Sequence, residues 1–139
     1  MKKPLVKELD HINITVENFN ETSTWYGQVF GFKLVEKGIQ DDKPWGILKS
    51  GDALLCVYEH PGLNPHNPEL IHQKGYHAMS HFGLKIDDKS KWLAIIEEQN
   101  LNILYGGVIE WPFSSAWYLK DPSGWEIEVA LWKNTTIQF

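Results

Sequence analysis

Two histidines open two matching stretches of this chain, His11-Ile12-Asn13-Ile14-Thr15-Val16 and His81-Phe82-Gly83-Leu84-Lys85-Ile86. In each, apolar residues then alternate with polar or small ones, the period of a half-buried strand. The two histidines are 70 positions apart in a chain of 139 residues, which is half the molecule and predicts a duplicated unit. A third alternating stretch, Glu126-Ile127-Glu128-Val129-Ala130-Leu131, places carboxylates on its polar side. Imidazole and carboxylate together suit a divalent first-row ion such as Fe, Mn, Zn, Ni or Co. Two imidazoles and one carboxylate would leave coordination positions open for an oxygen-bearing molecule. The residue types and their spacing therefore point to a metal site.

The elements that would position these groups follow from the surrounding pattern. A strand is expected over Leu9 to Val16, with Ile12, Ile14 and Val16 on one face and His11, Asn13 and Thr15 on the other. Asn18 with Glu21 has the spacing of a capping box, and Phe19, Trp25, Tyr26, Val29 and Phe30 continue as a helix stopped by Gly31. Strands are expected over Phe32 to Lys37, Trp45 to Lys49 and Ala53 to Glu59, separated by turns at Asp41-Asp42-Lys43-Pro44 and Ser50-Gly51-Asp52. Residues 60–76 carry Pro61, Pro65 and Pro68 with Gly62 and Gly75, and read as a linking loop.

The same order then returns. A strand from His77 to Ile86 leads into Asp87-Asp88-Lys89-Ser90, a helix start, and a helix with Trp92, Leu93, Ile95 and Ile96 on its apolar face. Ile103 to Tyr105 and the Gly106-Gly107 pair begin the next strands. Ala116 to Lys120 is a strand, Asp121-Pro122-Ser123-Gly124 a turn, and Glu126 to Leu131 the closing strand.

Bulk properties exclude several classes. The length suits one domain with a real core. A formal charge of −5 offers no basic footprint, so no nucleic-acid partner is expected. No apolar run approaches the roughly 18 residues that span a bilayer, and no membrane partner is expected. Met1-Lys2-Lys3-Pro4 is basic, but the apolar stretch of a signal peptide does not follow. Cys56 is the only cysteine, which excludes an intramolecular disulfide and fits a reducing, cytoplasmic setting. Seven Trp, five Tyr and six Phe supply rings for core, interface or the walls of a pocket.

Leu9-Asp10-His11-Ile12-Asn13-Ile14-Thr15-Val16, followed by Trp25-Tyr26-Gly27-Gln28-Val29-Phe30-Gly31-Phe32, resembles the opening of the vicinal oxygen chelate superfamily. That superfamily contains glyoxalase I, fosfomycin-resistance thiol transferases, extradiol dioxygenases and bleomycin-resistance proteins. Tyr118-Leu119-Lys120-Asp121-Pro122-Ser123-Gly124-Trp125-Glu126-Ile127-Glu128 is similar to its closing hairpin. The resemblance covers nearly the whole chain. It implies an α+β fold, a single domain of two tandem βαβββ modules whose curled mixed sheets enclose a cavity. Module one would span about residues 5–60, the linking loop about 60–76 and module two about 77–132. Matched position by position, His11, His81 and Glu128 would be the metal ligands, with Glu128 and Tyr118 as the catalytic groups. The implied cofactor is one divalent transition metal (Zn, Ni, Mn or Fe), and the implied partners are a small-molecule substrate and a second copy of the chain.

Other residues compete for places in that cavity. His77 shares strand parity with His81, but His81 directly precedes the alternating run, as His11 does. His60, His66 and His72 fall in the linking loop and are expected to be exposed. Glu126, one pleat from Glu128, is a candidate supporting group or base. Asn13, Thr15, Trp45, Trp111, Phe113 and Trp117 are candidate pocket walls. Glyoxalase I draws a fourth ligand from the last strand of its first module, where Cys56 stands here, a departure that argues against its isomerisation. The run Val129-Ala130-Leu131-Trp132 lacks the basic residues a phosphonate substrate would need. Ser50-Gly51-Asp52 lacks the acid-base histidine of the ring-cleaving dioxygenases. The expected function is a metal-dependent enzyme acting on a small oxygen-bearing substrate, of lyase, isomerase or dioxygenase-like type. The alternative is a metal-free binding protein of the bleomycin-resistance type.

Overall fold

The computed structural model describes residues 3–139. The chain divides into two compact units, one running to Gly62 and the other spanning Leu63–Phe139.

Unit one begins with β1 (Ile12–Val16), whose Ile14 and Val16 are buried while Asn13 and Thr15 are exposed. Asn18 caps α1 (Phe19–Phe30) by accepting the Glu21 backbone N–H at 2.9 Å, and Gly31 ends it with φ 73. That left-handed conformation is open to glycine at little steric cost. β2 (Lys33–Gln40), β3 (Lys43–Ser50) and β4 (Ala53–Glu59) follow as a meander. The sheet order is β1-β4-β3-β2, with β1 parallel to β4 and the other pairs antiparallel. Ile14, Leu48, Val57, Tyr26 and Val29 form the fully buried core. Removing each such aliphatic side chain from water contributes about 1.5–3 kcal/mol.

The hairpin between β2 and β3 is tighter than its composition suggests. Only Asp41 and Asp42 form the turn, both with positive φ, the mirror-image geometry that suits the strand twist. Pro44, expected in the turn, pairs with Ile39 inside the ladder. It lies beyond the last β3–β4 pair, Trp45 with Tyr58, so β4 does not require its missing N–H.

Unit two repeats this connectivity. β5 (Phe82–Ile86), α3 (Lys89–Glu98), β6 (Ile109–Glu110), β7 (Ser114–Lys120) and β8 (Glu126–Trp132) form a sheet of order β5-β8-β7-β6, with β5 parallel to β8. Asp88 caps α3 by accepting the Lys91 N–H. The result is an α+β architecture of two βαβββ modules, each with one mixed four-stranded sheet.

Four local expectations are corrected. The linking segment holds a short helix, α2 (Pro68–Gln73), with Asn67 as its cap and Pro68 at its first position, where the missing N–H costs nothing. The strands that follow His11 and His81 start at Ile12 and Phe82, not at Leu9 and His77. Phe82 already pairs with Ile127, one residue into β8, so an earlier strand start would have little to bond with. Residues 103–107 are not a strand, because Tyr105, Gly106 and Gly107 all have positive φ. Leu93 is exposed, and Trp92 is the buried residue of α3.

Candidate functional site

The period of two along β8 places Glu126 and Glu128 on one side of the unit-two sheet. Across the antiparallel ladder Tyr118 stands opposite Glu128, and on the other flank the β5 position level with Glu128 is Gly83, which has no side chain. His81 enters from just ahead of β5. Its Nε2 lies 2.9 Å from Glu128 Oε2 and its Nδ1 lies 3.8 Å from Glu126 Oε2. The imidazole meets the Tyr118 ring edge-on, with centroids 5.5 Å apart. The Tyr105 hydroxyl donates to Glu126 Oε1 at 2.5 Å, and its ring packs edge-on against Tyr118 at 5.4 Å.

These contacts set the protonation of the two phenols. The hydrogen bond to Glu126, then burial, pushes the Tyr105 hydroxyl up to about 12. Tyr118 is raised mainly by burial, against a downward pull from its hydrogen bond with Trp111, and Glu128 and Glu126 add to the rise. Both hydroxyls are therefore held as donors at neutral pH. His81, Glu128 and Tyr118, three residues expected from the sequence, come together in unit two with Glu126 and Tyr105 beside them.

Unit one carries the same positions with different chemistry. Ile12 pairs with Leu55 as Phe82 pairs with Ile127, so Cys56 is the counterpart of Glu128. Ile47 opposes Cys56 as Tyr118 opposes Glu128. His11 is the counterpart of His81 and is exposed, its Nδ1 2.7 Å from Asp10 Oδ2. Burial, reinforced by the charges of Asp10 and Glu36, pushes the Cys56 thiol up. A thiol held protonated is a weak ligand and a slow nucleophile. Further along β1, Asn13 and Thr15 join Tyr58, Glu59 and the hairpin residue Lys43 around an open, polar cleft of about 500 Å³.

Among the described residues, no group of three or more His, Cys, Asp or Glu is arranged to hold a metal ion. Two candidate donors do converge, His81 Nε2 and Glu128 Oε2 in unit two. His11 Nδ1 meets Asp10 at 2.7 Å, whereas His81 Nδ1 stands 3.8 Å from Glu126, too far for a hydrogen bond, and it is Nε2 that meets a carboxylate.

The remaining candidates separate by burial. His60, His72 and His77 are exposed, and His77 lies outside any strand, which removes the parity that linked it to His81. His66 is not the exposed loop residue expected. It stacks on Trp125 at 3.9 Å, its backbone N–H donates to Ser123, and its Nδ1 is buried with no hydrogen-bond partner among the described residues. Burial first, then Lys120, lowers its pKa, against a smaller upward pull from Glu126. Trp117 is 3% exposed and pairs with the fully buried Val129, so it serves the core and not a pocket wall. Trp111 and Phe113 are exposed, and Trp45 stacks on Tyr58 with centroids 5.8 Å apart. Tyr105 was missed by sequence reasoning. The two glycines after it signalled a turn, but nothing local signalled that the turn would aim a hydroxyl at Glu126.

Residues 8–129 match the Glyoxalase/Bleomycin resistance protein/Dioxygenase superfamily. Among solved structures, a glyoxylase/bleomycin resistance protein/dioxygenase domain from Frankia sp. EAN1pec is similar with a TM-score of 0.76 at 14% identity, covering 92% of this chain and 99% of that one. A glyoxalase family protein from Enterococcus faecalis has a TM-score of 0.70 at 18% identity, covering 89% and 97%. A genomically encoded fosfomycin resistance protein from Listeria monocytogenes has a TM-score of 0.67 at 12% identity, covering 91% and 94%. At these identities the likeness is one of fold. No functionally curated protein matches the chain.

Proposed function

The chain belongs to the Glyoxalase/Bleomycin resistance protein/Dioxygenase superfamily, and from that premise we propose that it is a divalent-metal-dependent enzyme acting on a small oxygen-bearing substrate. The observation that carries this reading is the convergence of His81 Nε2 and Glu128 Oε2 at 2.9 Å, with the Tyr118 ring against the imidazole. His11, His81 and Glu128 would hold the ion, one transition metal of the Zn, Ni, Mn or Fe kind. When bound, the ion supplies Lewis-acid charge to substrate oxygens.

The chain's own groups would do the rest. Tyr118, held as a neutral phenol, can donate a hydrogen bond to a substrate oxygen that gains negative charge. Glu128 would act as a catalytic carboxylate as well as a ligand, with its Oε2 facing His81. Glu126 Oε2 lies on the Nδ1 side of the His81 ring at 3.8 Å, and Nε2 lies on the side of Glu128. In this reading the enzyme is a cytoplasmic homodimer.

A second reading has its own support. Tyr58 lines the open cleft of unit one, and its ring stacks on that of Trp45 behind it. A metal-free binding protein would use such rings to stack a flat ligand.

Elemental analysis separates the two. Untagged protein purified without chelator is expected to carry about one transition metal per chain, and His81→Ala and His11→Ala to lose most of it. Metal-free protein that takes up none on dialysis against Zn, Mn or Fe would defeat the enzyme reading and leave the binding protein.

A further inference from the structure

Gly38 sits in the interior of β2, where a glycine weakens a strand and leaves no side chain to pack. It is not among the glycines with positive φ, so no left-handed turn demands it there. The neighbour across the ladder does. Trp45 pairs with Gly38, and a Cβ at Gly38 would stand 2.6, 2.8 and 2.9 Å from Nε1, Cε2 and Cζ2 of the indole. The indole therefore lies flat over the bare backbone of β2.

The ladder carries this row further. Trp45 pairs with Tyr58 on β4, and Tyr58 with Thr15 on β1. Opposed residues share a face, so Gly38, Trp45, Tyr58 and Thr15 run across one face of the unit-one sheet. The buried Ile14, Leu48 and Val57 belong to the other face. The Trp45 and Tyr58 rings are 15° from parallel with centroids 5.8 Å apart, an offset stack. Both residues are half-buried. Gly38 covers one side of the indole and Tyr58 stacks on the ring. Tyr58, and not Trp45, lines the cleft of about 500 Å³, so the face of Tyr58 that Trp45 leaves open is turned to that space.

The size suits a small molecule, and the rim defines its chemistry. The amides of Asn13 and Gln40 each offer a donor and an acceptor. The Lys43 ammonium shares the rim with the carboxylates of Asp41 and Glu59, and Glu59 Oε2 also accepts the Phe19 backbone N–H at 2.9 Å. An ionised ligand of either sign would meet a like charge there. An uncharged ring with donors and acceptors on its edge would not.

We infer that the cleft of unit one binds an uncharged, planar heteroaromatic ring, stacked on the open face of Tyr58 as the next ring in the row that Gly38 allows to lie flat. The inference rests on the binding-protein reading above for its stacking surface. It uses no metal ligand, and it adds the class of ligand and Gly38 as the residue that sets the tilt of the rings.

The test is an NMR titration of the full chain at pH 7.5 with small probes of similar size. Quinazolinone is an uncharged fused ring with an N–H donor and a carbonyl acceptor. Naphthoate is the anionic probe, N-methylquinolinium the cationic one, and cyclohexanecarboxamide an uncharged amide without a planar ring. Quinazolinone is expected to shift the assigned Thr15 and Tyr58 amide peaks and to bind more tightly than the others. Tyr58→Leu is expected to weaken it about 10-fold, the upper end for an aromatic stack. Gly38→Ala, which keeps both rings and changes their tilt, is expected to weaken it several-fold. No binding of quinazolinone, shifts confined to other parts of the chain, or unchanged affinity in Tyr58→Leu would overturn the site. Tighter binding of any other probe would overturn the ligand class, and unchanged affinity in Gly38→Ala the role of that glycine. Should Tyr58→Leu fail to fold, the wild-type shifts decide in the same terms, because they need no substitution.

Failure here is separable from failure of the binding-protein reading. Quinazolinone held at Tyr58 by protein that also carries a transition metal would end that reading and leave this inference standing. Metal-free protein that binds no probe at Tyr58 would overturn the inference and leave that reading in place.

Discussion

Glu128 and Cys56 occupy equivalent positions in the two modules, and the difference between them shows how a duplicated scaffold divides its labour. Each lies one residue beyond the first parallel pair, Leu55 with Ile12 and Ile127 with Phe82. In unit two the neighbours are Tyr118, His81 and Glu126, and in unit one the residue facing Cys56 across β3 is Ile47. A thiol raised by burial and by the charges of Asp10 and Glu36 stays protonated where a free cysteine begins to ionise. Alkylation of Cys56 by iodoacetamide at pH 8 is therefore expected to be several-fold slower in folded protein than in urea-unfolded chain. Equal rates would remove Cys56 from the partly buried, acid-flanked setting described for it. The residue types of the candidate site were legible from alternation and from family resemblance. Tyr105 was not, because its place depends on a turn whose positive φ values brought its hydroxyl to Glu126.

At the scale of elements, caps were the most legible features and strand starts the least. Asn18 and Asp88 each accept a backbone N–H three residues on, as short polar side chains ahead of an amphipathic run predict. Strand starts depend on a partner strand elsewhere in the chain, which alternation does not reveal. The linking segment shows the same limit. Pro and Gly marked it as loop, yet it folds α2 and lays His66 on Trp125 at the β7–β8 turn. A Cβ on Gly124 would stand 2.9 Å from the His66 backbone nitrogen, so the contact also requires a glycine there.

That contact has a pH dependence. Because burial and Lys120 lower the His66 pKa, the folded state favours the neutral ring more than the unfolded state does. Its stabilisation is complete above the ordinary histidine value of about 6.5 and is lost as pH falls through the lower folded value. His66→Phe keeps the stacking and cannot protonate. Between pH 7.5 and pH 5 the thermal midpoint of wild type is expected to fall further than that of His66→Phe. Equal falls would show that His66 does not titrate on unfolding.

At the scale of the whole molecule, the family and the fold agree, and the chemistry is what remains to be measured. The match over residues 8–129 spans both modules. Among the described residues, no helix is long and apolar enough to cross a membrane. The proposed homodimer has a simple check: sedimentation equilibrium at micromolar concentration should return twice the mass of the chain. The mass of a single chain would end that part of the proposal. Leu34, Val35 and Ile39 are exposed on β2, an outer strand of its sheet, and exposed apolar edges of this kind favour association.

Family resemblance singled out Glu128, while the sequence's own patterns determined the duplication, the strand-helix-three-strand order, the cap at Asn18 and His11 and His81 as candidates. These follow from short-range rules, the periods of 2 and 3.6 and the hydrogen-bonding habits of Asn, Asp and Gly. Only the tertiary structure decided that Tyr118 faces Glu128, that Glu126 sits by Nδ1 of His81 under the Tyr105 hydroxyl, and that His66 is packed on Trp125. Ladder register and the packing of distant segments are set by burial summed over the sheet, and no local window of residues carries that sum.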